Sequence, residues 1–339
     1  MFLIRFIVLL ISLSFSIYAV SIEHSGHSKL NVLSAEISRL VEYKSYDVSF
    51  AAYHIESNRY IYINGNQPFP MASIVKVIIA CTYLDLVDQQ KLDPNKTVSI
   101  SKKTLRPYSV FAKLFLSPNF SLSLNNLLEA MMIYSDNTAT DILFHEIGGK
   151  KAIKAFLKQH DITGIDVSRS ILEIIAQTDG VAISDDQFIT LKDYYDKRSF
   201  VSLESEEKAR QVFFSSKKDT TSAKAFLNFL LKFHNQELLS KSSTDYLRKI
   251  MFKNAHGNKR LKDYLPNASF SHKTGSLSML SNDAGILKLP GNKGHIVLVG
   301  SVLERQPQRL PDAKPFIQER ENILAIMAKT VYDFFLFSD

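Results

Sequence analysis

The sequence predicts an α+β fold, in which one antiparallel sheet is flanked by terminal helices and an all-α domain is inserted between the two halves of the sheet. Strand-like runs lie near both ends of the chain with helical patterns outside them, whereas the middle is rich in helical patterns. A sheet buries at least one face against another layer, so terminal helices and strands from both chain ends together predict a layered α/β part.

The elements of this α/β part follow from their patterns in chain order. An amphipathic helix is predicted at 29–46, strands at 46–53, 59–63, 268–274, 284–289 and 295–302, and a last helix at 316–335. These elements divide the chain into a first α/β part at 20–66, a helical domain at 67–221 and a second α/β part at 222–339.

The first 19 residues have the pattern of a secretory signal peptide. Met1 to Ala19 carries one charge, Arg5, and an apolar run at 6–15 that small residues follow. The run is short for a membrane-spanning helix. We therefore expect cleavage after Ala19 and a periplasmic protein, with an uncleaved membrane anchor as the alternative.

Composition excludes several classes of function. The 339 residues carry a formal net charge of +7, but the lysines are scattered without a basic-aromatic cluster, so no nucleic-acid partner is expected. The nine histidines lack a metal-ligand pattern and no glycine-rich phosphate loop is present, so neither a metal nor another cofactor is expected. Cys81 is the one cysteine, which excludes an intramolecular disulfide. We expect a monomer.

A serine and a lysine three residues apart open the apolar helix that follows residue 72. Ser73 and Lys76 share a helix face, and the run at 74–80 is apolar. A serine hydroxyl needs a base to become a nucleophile, and burial lowers the pKa of a lysine toward the range in which it can be one. The alternative is a lysine whose stem is buried while its ammonium reaches water. Copies of the spacing at Ser99 and Ser215 lie in polar surroundings and indicate surface.

Two further short motifs follow in the same order along the chain. Ser135-Asp136-Asn137 lies at a break between two helical runs, where the alternative is a helix cap. Lys273-Thr274-Gly275 lies on a predicted strand, where the glycine lets a ligand approach the backbone and the alternative is an edge strand with a protective lysine. Explaining the three motifs by structure alone requires all three alternatives to hold independently, whereas one shared site accounts for all three motifs together.

With these three motifs, the chain resembles a class A β-lactamase-type serine hydrolase of the penicillin-recognising enzyme superfamily. The resemblance covers about residues 30 to 338, and further matching segments lie at 69–73, 134–141, 219–223, 257–261 and 281–285. It implies a β-lactamase/transpeptidase-like fold whose active site lies in the cleft between the domains.

The resemblance also implies a role for each matching residue. Ser73 is the acylated nucleophile, Lys76 accepts its proton, and Ser135 passes a proton to the leaving nitrogen. The residues that hold the substrate are Asn137 for its amide side chain and Lys273, Thr274, Gly275, Ser276 and Arg260 for its carboxylate. The backbone N–H groups of Ser73 and Ser276 form the oxyanion hole, a large catalytic contribution.

The omega loop departs from the family pattern, which places a water-activating glutamate two residues after an arginine. Here the matching arginine is Arg169, and two residues on lies Ile171, which cannot act as a base. A shift of two residues would let Glu173 and Gln177 replace the usual glutamate and asparagine. The alternative is that Glu173 is an ordinary carboxylate on a helix surface.

The loop is also long, with fifty positions from Arg169 to Asp219. An ion pair between these two residues is expected to close it. The extra segment predicts short amphipathic helices at 184–195 and 204–210, since a structureless stretch of this length is unusual in a compact domain. We expect the insertion to roof or flank the site, where it narrows access, admits a larger substrate or binds a partner.

Three hypotheses for function remain open from the sequence. The leading one is an exported serine hydrolase that forms an acyl-enzyme on Ser73 and opens the β-lactam ring of penicillin-type antibiotics. The second is a penicillin-binding enzyme that acts on peptidoglycan peptides, as a DD-peptidase or acyltransferase, with slow or absent deacylation. The third is a non-hydrolytic envelope protein that binds a ligand in the cleft. All three take a small-molecule partner.

Overall fold

The computed structural model describes residues 20–26, 28–42, 46–115, 119–183, 189–265, 269–304 and 314–337. The predicted signal peptide at 1–19 lies outside the described residues, as do the start of the first predicted insertion helix at 184–188 and the predicted strand start at Ala268. Among the described residues, no helix combines the length and the apolar character that crossing a membrane requires.

The centre of the fold is a six-stranded antiparallel sheet in the order β1-β3-β2-β10-β9-β8. Its strands are β1 (Ile22–His24), β2 (Tyr46–His54), β3 (Arg59–Ile63), β8 (Ser269–Leu277), β9 (Leu280–Lys288) and β10 (His295–Glu304). The two-stranded ladders are β4 (Pro68–Pro70) with β7 (Thr220–Ser222), and β5 (Thr97–Ser101) with β6 (Asn119–Ser123).

Helices cover both faces of the sheet. The helices are α1 (Ser28–Glu42), α2 (Val75–Asp88), α3 (Val110–Leu114), α4 (Leu124–Ile133), α5 (Asn137–Glu146), α6 (Gly149–Gln159), α7 (Ile171–Thr178), α8 (Leu191–Ser199), α9 (Leu203–Ser215), α10 (Ala223–His234), α11 (Lys241–Phe252) and α12 (Lys314–Phe337). On one face, Val48 and Phe50 of β2 pack in a core with α1 and α12. On the other face, Ala51 belongs to the larger core of the helical region. Because side chains alternate along a strand, β2 contributes to both cores.

This architecture confirms the predicted α+β fold, with strands from both chain ends in one antiparallel sheet and a helical region between them. The nucleophile segment differs in detail, because a 3₁₀ turn at Ala72–Ile74 precedes the α-helix and places Ser73 before the first residue of α2. Cys81 is buried in α2.

The insertion contains helices, but their bounds differ from the prediction. The first helix begins at Leu191, because the Thr190 side chain accepts the N–H of Asp193 and caps it there. The second runs beyond 210 to Ser215 and is capped in the same way by Ser202. Side-chain caps of this kind satisfy backbone N–H groups that have no partner inside the helix.

Candidate active site

A cavity of about 670 Å³ lies between the helical region and strand β8. Ser73, Ser135 and Thr274, one from each of the three motifs, line it. Its volume is within the range of small-molecule sites. The fold therefore brings together segments that are more than sixty residues apart in the sequence.

The turn that carries Ser73 is held by strand β9. The Asn282 side-chain amide donates to the carbonyl oxygens of Pro70 (2.8 Å) and Met71 (3.0 Å). Ala72, next to the serine, has a φ of 47°, an uncommon conformation for a residue with a Cβ. The surrounding contacts thus keep the nucleophile turn in a strained and defined geometry.

Gly275 lets strand β8 pass close to this turn. A Cβ at position 275 would lie 2.7 Å from the Met71 carbonyl oxygen and 3.1 Å from the Ser73 backbone nitrogen. Such distances are shorter than side-chain atoms tolerate, so any residue except glycine would push the strand away from the nucleophile. The structure places Gly275 at the site as the sequence predicts, with a structural reason for its identity.

Lys76 is fully buried and is held at three oxygen atoms. Its Nζ lies 2.7 Å from the Ser135 carbonyl oxygen, 3.1 Å from Ser135 Oγ and 2.8 Å from Asn137 Oδ1. Burial lowers the pKa of Lys76 to about 7, although Asp136 and Asp141 raise it. The described residues show no hydrogen bond from Lys76 to Ser73, and catalytic hydrogen bonds often tighten only when substrate binds.

Ser135 lies between two buried lysines. Lys273 Nζ donates to Ser135 Oγ (3.0 Å) and to the Thr274 carbonyl oxygen (3.0 Å). Burial lowers the pKa of Lys273 well below its usual range, and the charge of Lys76 lowers it further. Because a neutral lysine amine can accept a proton, the Ser135 hydroxyl can donate to one amine and accept from the other. The arrangement is therefore a route for a proton between two lysines.

The second motif combines a helix cap with two side chains of the site. Asp136 accepts the N–H of Ala139 (2.8 Å) and caps α5, and it also accepts from Ser109 Oγ and the Val110 N–H (both 2.6 Å). The cap interpretation is therefore correct for Asp136. Asn137 also lines the cavity, and its amide nitrogen donates to the Pro107 carbonyl oxygen (2.9 Å).

The predicted carboxylate-binding residues meet at the edge of β8. Arg260 donates to Ser276 Oγ (2.7 Å) and to the Gly275 carbonyl oxygen (2.9 Å). Glu321 of α12 accepts from the Arg260 Nε at 3.0 Å. Thr274, Ser276 and Arg260 all line the cavity, so a cation and two hydroxyls face the same space.

The omega loop is closed by the predicted ion pair. Arg169 Nε lies 2.5 Å from Asp219 Oδ2, and the other Asp219 oxygen accepts the backbone N–H groups of Ser168 (2.7 Å) and Arg169 (3.0 Å). Both side chains are buried or nearly so. The two ends of the fifty-position segment therefore meet at one carboxylate.

Glu173 is not brought to the cavity. Its carboxylate accepts the Ser170 N–H (2.7 Å) while Ser170 Oγ accepts the Glu173 N–H, which is a capping box at the start of α7. The residues of α7 that line the cavity are Ile171, Ile174, Ile175 and Thr178. These positions share one face of a helix that excludes 173 and 177. The structure therefore corrects the hypothesis that Glu173 and Gln177 shift into the site.

Asp141 has a role that the sequence alone did not reveal. Its two carboxylate oxygens accept the N–H groups of Ile171 (2.8 Å) and Leu172 (3.1 Å), and Arg106 Nε lies 3.2 Å away. The buried carboxylate thus fixes the start of α7 against α5. Its position four residues after Asn137 is the available signal, because that spacing puts both on one helix face.

The insertion supplies a wall of the same cavity. Asp179, Arg198, Glu206 and Arg210 line it together with Lys113 of α3, and His256 lines it near Ser135. None of these residues belongs to a motif, so sequence analysis missed them. The i,i+4 spacing of Glu206 and Arg210 is a weak signal of their ion pair. The expectation that the insertion flanks the site is correct.

The described part of the chain contains no group of three or more His, Cys, Asp or Glu side chains that could hold a metal ion. The side chains of His272 and Asp283 form a buried pair, with 2.8 Å between Nδ1 and Oδ1, and His272 directly precedes the third motif.

Comparisons with known proteins give one consistent result. A family model described as the beta-lactamase enzyme family matches residues 32–335. The extended-spectrum β-lactamase PER-1 of Pseudomonas aeruginosa is 28% identical over 334 residues, which covers 96% of this chain and 92% of the relative. β-Lactamase VEB-1 of the same organism is 24% identical and 98% of each chain is covered.

Solved structures show the same similarity. TLA-1 extended-spectrum β-lactamase is 26% identical with a TM-score of 0.71, covering 90% of this chain and 99% of the other. A β-lactamase from Chitinophaga pinensis DSM 2588 is also 26% identical, with a TM-score of 0.69 and coverage of 89% and 99%. The similarity therefore extends over most of the chain and well beyond the three motifs.

Proposed function

This chain belongs to the beta-lactamase enzyme family and is a class A β-lactamase-type serine hydrolase, and from that premise we propose that it opens the ring of β-lactams through an acyl-enzyme on Ser73. The observation that carries the proposal is the position of Ser135, whose hydroxyl lies within hydrogen-bond distance of two buried amines, Lys76 and Lys273. Penicillins are the substrate class that we propose first.

In the proposed acylation, Ser73 Oγ attacks the β-lactam carbonyl carbon while its proton passes to the neutral amine of Lys76. The ring C–N bond breaks, the nitrogen takes the proton of the Ser135 hydroxyl, and Lys76 returns its proton to Ser135. The net result is an ester on Ser73 and a protonated ring nitrogen. Lys273 donates a hydrogen bond to the Ser135 oxygen and keeps it oriented. The backbone N–H groups of Ser73 and Ser276 would stabilise the oxyanion.

We propose that the ester is hydrolysed slowly. A water must be activated by a base, and the face of α7 toward the cavity presents Ile171, Ile174 and Ile175, whereas Glu173 is engaged in the capping box. Lys76, neutral again after acylation, is the remaining base that we propose for this step. The same apolar wall favours the second candidate function, a penicillin-binding enzyme whose acyl-enzyme persists.

We also propose that the protein is exported to the periplasm after cleavage behind Ala19. The support is the pattern of one arginine, an apolar run and small residues in the first 19 positions. Periplasmic export would place the enzyme where β-lactams and peptidoglycan peptides both occur.

Intact-protein mass spectrometry of the mature protein tests these proposals together. The protein is mixed with benzylpenicillin and sampled from seconds to hours, with Ser73→Ala as the control that cannot form the ester. An increment that appears and then disappears as the drug is consumed supports turnover, and one that persists supports the second candidate. If no increment forms and no drug is consumed, the acyl-enzyme proposal is wrong. The mass of the unreacted protein reports the cleavage site.

A further inference from the structure

We propose that the part of the cavity walled by the insertion is a subsite for an anionic group at the end of the substrate's acyl side chain. The inference rests on the proposed acylation of Ser73 and names the substrate class that the site selects: β-lactams with a second carboxylate in addition to the one on the ring. It follows from three features of the wall, which are its charges, the length of helix α7 that leads to it and the apolar surface of that helix toward the cavity.

The charged wall is a network that joins α7, α8 and α9. Arg198 lies between two carboxylates, with Nε 3.3 Å from Asp179 Oδ2 and Nη2 3.0 Å from Glu206 Oε2. Arg210 forms a second ion pair with Glu206. The Tyr194 hydroxyl donates to Asp179 at 2.7 Å. The two guanidinium groups are therefore held in place rather than free to move in solvent.

The charges of this wall do not balance. Lys113 lines the same cavity from α3, and within the described residues the structure shows no ion pair for it. Three cations, Lys113, Arg198 and Arg210, thus face two carboxylates, Asp179 and Glu206. Each guanidinium has five N–H donors, and the ion pairs above occupy two on Arg198 and one on Arg210. The excess charge and the remaining donors suit a carboxylate.

The length of α7 sets the kind of side chain that reaches this subsite. Helix α7 runs along the cavity from Ile171, which is fixed to Asp141, to Asp179 directly after the helix. Eight residues of helix correspond to about 12 Å. Ile171, Ile174 and Ile175 line this path. A substrate that fits would have an apolar spacer next to its amide and an anionic group beyond it.

The partial burial of the wall strengthens the effect. The side chains of Arg198 and Arg210 are 29% and 18% exposed. An interaction between charges is stronger at such positions than between fully solvated groups and is less screened by salt. The subsite is therefore expected to discriminate between substrates and not only to attract anions from a distance.

The experiment measures the second-order rates at which three penicillins acylate the mature protein, by stopped-flow competition or by mass spectrometry. The side chains are straight acyl chains of equal length that end in a carboxylate (anionic), a methyl group (neutral) or an ammonium group (cationic), so that the charge lies beyond an apolar spacer. We expect the anionic penicillin to acylate Ser73 about tenfold faster than the neutral one, with the cationic one slowest. Acylation is used because it does not depend on how the ester is later hydrolysed.

Two variants and a matched control locate the effect. Lys113→Gln and Arg210→Gln should each reduce the anionic-to-neutral rate ratio about fivefold. Lys208→Gln removes the same charge from an exposed position of α9 that does not line the cavity, and its ratio should stay unchanged. Lys113 is exposed and forms no ion pair with the described residues, so its variant tests the subsite even if Arg210→Gln disturbs the insertion.

A ratio near one in the unmodified protein would overturn the inference, as would ratios in Lys113→Gln and Arg210→Gln that equal that of the control. If the three penicillins acylate Ser73 at equal rates, the proposed function is retained and only the subsite is rejected. No acylation by any of the three would overturn the proposed function itself, and the subsite with it.

Discussion

The two sides of the cavity are built in different ways. Around Ser135, buried lysines and an asparagine from distant segments form short hydrogen bonds to one another. Along the insertion, partly exposed arginines and carboxylates pair with neighbours from adjacent helices. The first side is constrained by burial, because every polar atom there needs a partner. On the insertion side, a single charged residue can be substituted with little loss of folding stability.

This difference separates chemistry from substrate choice. A substitution on the Ser135 side is expected to affect the reaction with any substrate, whereas one on the insertion side is expected to affect some substrates more than others. The connection between the two sides is the base of the omega loop, where Arg169 and Asp219 join the insertion to the rest of the helical region.

We expect the largest effect from a substitution in the Arg169–Asp219 ion pair that connects the two sides. Asp219→Ala removes a buried partner of Arg169 and the acceptor of two backbone N–H groups. Breaking a buried pair in this way is expected to cost about 3 kcal/mol of unfolding free energy. Asp196→Ala is the control, since it breaks an exposed pair with Lys192 and should leave the unfolding free energy almost unchanged. Denaturant unfolding of both variants measures the difference, and equal losses would show that Asp219 does not stabilise the loop.

On the Ser135 side, removing the hydroxyl should slow acylation by about 100-fold or more, because positioned proton transfer contributes at least that much. The variant is Ser135→Ala, and the measurement is the acylation rate with benzylpenicillin. Ser99→Ala is the control, because Ser99 is an exposed serine that does not line the cavity. A rate within threefold of the control, as an order-of-magnitude limit, would contradict the proton route through Ser135.

The pKa of Lys76 makes the same side sensitive to pH. Its amine must be neutral to accept a proton, and burial lowers its pKa to about 7, so acylation should rise about tenfold per pH unit below 7 and level off above. The folded pKa is below the ordinary value of 10.5, so the unfolded chain binds more protons between about 7 and 10.5, and this group makes stability increase with pH across that window. A flat rate profile around pH 7 would exclude Lys76 as the base.

The smallest effect is expected at Glu173. Because its carboxylate faces Ser170 and not the cavity, Glu173→Gln should leave the rate at which the acyl-enzyme disappears within about twofold, and glutamine can keep the capping box. The decay of the acyl-enzyme mass after excess drug is removed measures this rate. A trapped ester in the variant would return Glu173 to the site as the deacylating base.

Much of the Ser135 side could be predicted from the sequence, because short motifs carry residues whose neighbours in space are set by one fold. Ser73, Ser135 and Thr274 were expected at one site, and the structure places all three on one cavity. The α+β fold was predicted for a similar reason, since strand and helix periodicities are long and regular.

The insertion side could not be predicted in the same detail. Which residues of α7 face the cavity depends on where the helix begins, and that is fixed by the Ser170 cap and by Asp141, thirty residues earlier in the chain. Because α7 begins at Ile171, Glu173 lies on the helix face opposite to the one that lines the cavity. Arg198 and Arg210 reach the cavity through the packing of α8 and α9, for which no sequence period exists.

The ion pair at the base of the omega loop has an evolutionary consequence. Because both ends of the inserted segment meet at Asp219 and Asp141 holds the start of α7, the part of the segment after α7 can vary in length and content without moving either end. Such a segment behaves as an exchangeable module, acquired, lengthened or replaced as a unit. Lineages that share this attachment could therefore diversify in the antibiotics they recognise while their reaction chemistry stays the same.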